Sequence, residues 1–241
     1  MVPGKEENEQ PKILAQLEEF GKRYEQQPLI RALVQLIPLG FGSAADTALV
    51  TVLNKVREER ARAFFDELAK GRIALTQEQI ANEDFLHAYF ATARAALNTR
   101  RQEKIQLFGR LFTHYCQAAG FTNTDTYEEI LAVLDDLTLR ELQVLILLRD
   151  FETNNPILPG QNALQRATQF WASFLYRAEA EIGIPKAEFP GYFGRLNRTG
   201  LYQTFVGGFW DYTGDMGYTT PNFERFLRFL GLHDFGDVSK M

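Results

Sequence analysis

A mainly α-helical fold is predicted: a helical bundle over residues 1–152, then a second domain over 163–241 in which helices accompany a small β-hairpin. Three observations carry this. Apolar residues recur at three- and four-residue spacing over most of the 241-residue chain, the period of an amphipathic helix. Helix-start and helix-stop residues bracket those stripes. Only LYQTF at 201–205 and YTT at 218–220 have the β-branched and aromatic character of strands.

In chain order, residues 1–10 are polar. Ile13, Leu14, Leu17, Phe20 and Tyr24 share one helical face, and Pro28 stops that helix and opens an apolar one over 29–37. Leu49, Val52, Leu53, Val56, Ala63, Phe64 and Leu68 mark a long helix ending at Gly71. Its other face mixes positive and negative charge, as a solvated surface does. Thr76 with Gln79 matches a capping box. Phe85, Leu86, Tyr89, Phe90, Ala93 and Leu97 form the next stripe, after which Thr99 with Gln102 either restarts the helix or lies inside a longer one. Ile105, Leu107, Phe108, Leu111, Phe112 and Tyr115 continue towards Gly120. Two helices follow over 127–134 and 139–151, the second capped by Thr138 with Glu141. TNNPILPGQN at 153–162 has the chemistry of a surface turn and separates the two domains. Leu164, Ala167, Phe170, Trp171, Phe174, Leu175 and Ala178 then mark a long helix ending at Gly183, and Thr220 before Pro221 starts the last one.

Composition narrows the function. A formal charge of -5 argues against nucleic-acid binding through bulk positive charge. One cysteine, Cys116, excludes an intramolecular disulfide and a Cys-rich zinc site and fits a reducing compartment, so a cytoplasmic location is expected. The polar start has no apolar segment of a secretory signal. His87, His114 and His233 lack metal-ligand spacing, so neither a metal nor a cofactor is expected.

The stretch LIPLGFGSAADTALVTVL at 36–53 contains Gly40, Gly42 and Ala45 in the spacing of a dinucleotide fingerprint. Pro38 stands where the preceding strand should end, and a charged helix occupies the place of the second strand, so that reading is rejected. Between Arg31 and Asp46 lie 14 uncharged residues, short of the ~20 that a spanning helix needs. The stretch reads as a buried helix–helix corner capped by Ser43, with membrane contact through 29–54 as the alternative.

Arg94, Arg100, Arg101 and Lys104 cluster around the Asn98–Thr99 junction and are the candidate ligand- or partner-binding residues. Arg110 and His114 lie one turn apart and resemble the Arg…His motif of the HEPN ribonucleases. The spacing is shorter than that family's, and Leu111 stands where its polar residue belongs.

The segment AEAEIGIPKAEFPGYFGRLNRTGLYQTF resembles the core of a winged helix, over roughly residues 163–231. The resemblance implies a helix to Ile182, a turn at Gly183-Ile184-Pro185, a second helix through Arg195 and Leu196, and a hairpin wing entered at Gly200-Leu201. Gly183 and Gly200 suit helix ends with positive φ, and Leu196 and Leu201 would seal the wing. If such a domain reads DNA, Lys186, Arg195 and Arg198 are the candidate contacts. Glu188, Asp211 and Asp215 balance them to zero, and Pro190, Gly191, Phe193 and Gly194 make a poor reading surface. Phe209, Trp210 and Tyr212 lie in the wing. SAADTALVTVLNKVREERARAFFDELAKG, EDFLHAYFATARAAL and TRRQEKIQLFGRLF look like a family of uncharacterised bacterial helical proteins, which implies a bacterial source.

The expectation is a non-enzymatic regulatory or protein–protein interaction protein, defence-related by analogy, with a protein partner or a second copy of itself. A DNA-binding regulator and a membrane-active helical protein are the alternatives.

Overall fold

In the computed structural model, residues 22–36, 47–71, 73, 75–117, 124–206 and 216–232 are described. The corner at 38–43, the first helix before residue 22, the wing aromatics Phe209, Trp210 and Tyr212, and His233 lie outside them. The described residues are mainly helical, with one small antiparallel sheet near the C-terminus. They fall into two compact units, Met1–Leu131 and Ala132–Met241.

The first unit contains α1 (Pro28–Leu36), α2 (Thr47–Lys70), the single turn α3 (Gln77–Ile80), α4 (Glu83–Asn98), α5 (Gln102–Gln117) and most of α6 (Thr124–Asp136). Helices α2, α4 and α5 pack against one another. Their apolar stripes meet in a core of Phe64, Phe65 and Leu68 from α2, Phe85 and Tyr89 from α4, and Phe108, Leu111 and Phe112 from α5, all fully buried. Burying such side chains contributes ~1.5–3 kcal/mol each before entropy is counted. At Gly109 the backbone of α5 comes so near α2 that a Cβ there would sit 2.9 Å from Glu67 Cβ. On α1, Ile30, Leu33 and Val34 are buried as well. No helix among the described residues is long and apolar enough to cross a membrane.

The choice at Thr99 resolves as a break. Helix α4 ends at Asn98, and Thr99 is extended (φ -81°, ψ 135°) with its hydroxyl donating back to the Ala95 carbonyl at 2.9 Å. The Thr76–Gln79 box forms in both directions.

The second unit contains α7 (Leu139–Asn154), α8 (Ala163–Ile182), a 3-10 turn (Lys186–Glu188), α9 (Phe189–Arg198), β1 (Tyr202–Thr204), β2 (Gly217–Thr219) and α10 (Pro221–Leu230). The strands pair antiparallel with Gln203 opposite Tyr218. Helix α7 is capped by the Thr138–Glu141 box and α8 by Asn162 with Gln165. Gly183 ends α8 in the left-handed region at φ 72°, and Gly200 also has φ 72°. Leu196 and Leu201 are buried, as are Trp171, Phe174, Phe189, Phe193 and Tyr202, whose rings form one cluster. The turn at 153–162 runs between α7 and α8 within this unit rather than between the units, because α7 packs on α8 and β2.

Candidate functional site

Helix α4 begins where Asn82 accepts a hydrogen bond from the Phe85 N–H at 3.1 Å, and Glu83 and Asp84 fill its first turn. Acidic side chains favour that position because they face the positive end of the helix dipole. Helix α6 likewise carries Asp125 in its first turn. The two helix starts converge. Nε2 of His87 lies 3.0 Å from Oε1 of Glu128, an ion pair whenever the imidazole is protonated. Between the starts opens a groove of about 540 Å³, lined by Glu83, Asp84, Leu86, His87, Asp125 and Glu128 among others. Four carboxylates and one imidazole give it an acidic lining. Among the described residues no His, Cys, Asp and Glu group has the arrangement of a metal site.

From this groove an exposed stripe runs along α4: Glu83, His87, Phe90, Arg94 and Asn98, at spacings of three and four residues. Phe90 is 40% exposed at the middle of the helix. Arg94 is exposed on the stripe, and Arg100 and Arg101 are exposed immediately beyond its C-terminal end. Lys104 is set apart from these three: it is half-buried, with Nζ 5.8 Å from the centre of the Phe108 ring. The α4–α5 break therefore gathers three solvent-facing guanidinium groups. None of the four basic residues lines the groove.

Other candidates are committed elsewhere. Nε of Arg110 donates to buried Glu67 at 2.9 Å, and Lys70 approaches the same carboxylate at 2.6 Å. His114, one turn on, is exposed. The Arg110 guanidinium thus has a structural partner, because a buried carboxylate needs a cation beside it. Burial pushes the Cys116 thiol far above its ordinary value, which suppresses the nucleophilic thiolate.

In the second unit, Arg195 Nε donates to Glu141 at 2.6 Å, and its guanidinium lies 4.6 Å from the Tyr192 ring centre. Lys186 stands 4.0 Å from Glu179, and Arg198 is exposed at the far end of α9. The sequence groups these three cations, but the fold ties Arg195 to α7 and puts Lys186 and Arg198 before and at the end of α9.

The acidic groove is what the sequence reading missed. Asp84 and Asp125 are 41 positions apart, and only the pairing of two helix starts joins them. The available signal was acidic residues in two first turns, Glu83 with Asp84 in one and Asp125 in the other.

No known protein family matches the chain, and no curated protein or solved structure does so either.

Proposed function

We propose that the chain is a non-enzymatic protein–protein interaction protein that engages its partner through the exposed face of α4. One observation carries this reading: the acidic groove at the start of α4, exposed Phe90 and Arg94 on its outer face, and Arg100 and Arg101 just beyond its end follow one another along one exposed surface. Exposed aromatics and arginines are the residue types that dominate the energy of protein interfaces. The engagement of Arg110 by Glu67 and the suppressed Cys116 thiolate support a role without catalysis.

Immobilised chain incubated with a lysate of its source cells is expected to retain protein that elutes with salt. R94E/R101E is expected to lose it, since rim charges act through screened electrostatics. A chain that retains no protein and does not associate with itself overturns the reading.

A second reading is a winged-helix-like DNA regulator, supported by the order of helix, short turn, helix and hairpin in α8, α9, β1 and β2. The Arg195–Glu141 pair weakens it by removing one of its three cations. Binding of mixed-sequence DNA at two salt concentrations tests it, because phosphate contacts make affinity fall steeply with salt. Absence of any complex at low salt ends it.

A further inference from the structure

The α4 face is charge-separated in a way that makes it complementary to itself. Glu83 and Asp84 stand at one end, with Asp125 and Glu128 beside them across the groove. Arg94 lies 11 residues after Glu83, which is about 16 Å along a helix rising 1.5 Å per residue. Arg100 and Arg101 extend the positive end. Phe90 lies near the midpoint, 40% exposed between the two charges.

We propose that the occupant of this face is a second copy of the chain, with the two α4 helices packed antiparallel about a two-fold axis close to Phe90. Such an axis sets the acidic end of each copy against the basic end of the other. The two Phe90 rings then meet at the centre, where apolar area is most fully removed from water. Asp84 of one copy comes within reach of Arg94 of the other, and Arg100 and Arg101 reach towards the opposing groove. This inference rests on reading the α4 face as an interaction surface and names what covers it.

The magnitudes define the kind of dimer. A helix of 16 residues is about 24 Å long and ~10 Å wide, well short of the ~800 Å² per partner of a standard stable interface. The dimer is therefore weak and concentration-dependent. The sign of its salt response is diagnostic. At a net charge of -5 two copies repel one another at long range, so association driven by apolar burial alone would strengthen as salt screens that repulsion. Association through complementary ends weakens instead, since the screening length falls from ~10 Å at 0.1 M to ~3 Å at 1 M.

Light scattering on the full chain over a range of concentrations tests this. The expected mass rises from 27.6 kDa towards twice that value in ~0.1 M salt and returns to the monomer in ~1 M salt. E83K/D84K cancels the charge of the acidic end, two lysines standing against Asp125 and Glu128, and R94E/R101E turns the basic end acidic. Each is expected to weaken self-association roughly 100-fold, because every reversal counts twice across a two-fold axis. Mixed in equal amounts, the two variants are expected to regain a dimer, since the unchanged acidic end of one meets the unchanged basic end of the other and the reversed residues face one another with opposite sign. Helix content by circular dichroism reports whether each variant folds, and a misfolded chain would not show that recovery. A wild-type chain that stays monomeric throughout overturns the inference, while protein retained in the pull-down leaves the interaction reading standing. A dimer unaffected by the reversals, one strengthened by salt, or folded variants that fail to recombine also overturns it.

Discussion

Glu141 and Glu152 sit on the same helix, both nearly buried, and the protein treats them oppositely. Burial alone would raise Glu141. The Thr138 N–H and hydroxyl and the Arg195 guanidinium outweigh it and hold the carboxyl below its ordinary value. At Glu152 burial wins. Donation from the Thr219 hydroxyl and N–H, and the nearby charge of Arg166, only partly offset it, and the carboxyl stays above its ordinary value. The linkage signs follow. A lowered folded pKa gives Glu141 a stability contribution present above the ordinary carboxylate range and lost as pH falls through the folded value. A raised folded pKa gives Glu152 a contribution complete below that range and lost as pH rises through its folded value. Urea midpoints across the acidic range are therefore expected to fall less steeply at low pH in E141Q than in wild type. In E152Q the loss on raising pH should shrink. Parallel curves for wild type and both variants would contradict the assignment. E141A additionally removes a capping box and is expected to cost about 1 kcal/mol or more at neutral pH.

At the scale of elements, the α2–α5 crossing depends on a residue with no side chain. Ala at position 109 would gain up to ~1 kcal/mol of intrinsic helix propensity, but its Cβ would meet Glu67 Cβ at 2.9 Å and the Phe64 carbonyl at 3.4 Å. Neither neighbour is the loose end of a side chain, so the overpacking cost of ~1–3 kcal/mol wins. Gly109→Ala is expected to lower the denaturation midpoint, and an unchanged or raised midpoint would show that the crossing is slack. The helices themselves were legible in the sequence, because the stripes of α2, α4, α5 and α8 follow the 3.6-residue period and caps such as Thr138 and Thr220 act through local chemistry. Helix α7 was legible as a helix but not as a centre. Leu142, Val144, Leu145, Ile146, Leu147 and Leu148 are all buried, so it is covered all round, and an all-round apolar helix belongs inside its unit. That run was the sequence signal that the chain divides before α7 and not at the turn behind it. The positive end of the α4 face was legible because Arg94, Arg100 and Arg101 are near neighbours in sequence. The acidic end depends on α6 docking beside α4, and the pairings of Arg110 with Glu67 and Arg195 with Glu141 span 43 and 54 positions. No local pattern encodes contacts of that range.

For the whole molecule, two compact units with separate aromatic cores raise the question whether the chain unfolds in one step or two. The sequence supplies a probe for only one of them. Both tryptophans, Trp171 and Trp210, fall within Ala132–Met241, so tryptophan fluorescence reports the second unit, whereas helical circular dichroism reports both. Each unit also offers a perturbation that replaces no tryptophan. Gly109→Ala acts on the first unit at the α2–α5 crossing. Leu148→Ala acts on the second by removing a fully buried side chain from α7, a change expected to cost ~2–5 kcal/mol. Units that unfold independently predict a split: Gly109→Ala shifts part of the dichroism transition and leaves the fluorescence midpoint in place, while Leu148→Ala moves the fluorescence midpoint. A single cooperative molecule predicts that either substitution moves both signals together, because two-state unfolding gives coincident transitions for every probe. Separate cores favour the split, and coincident shifts in both variants would refute it.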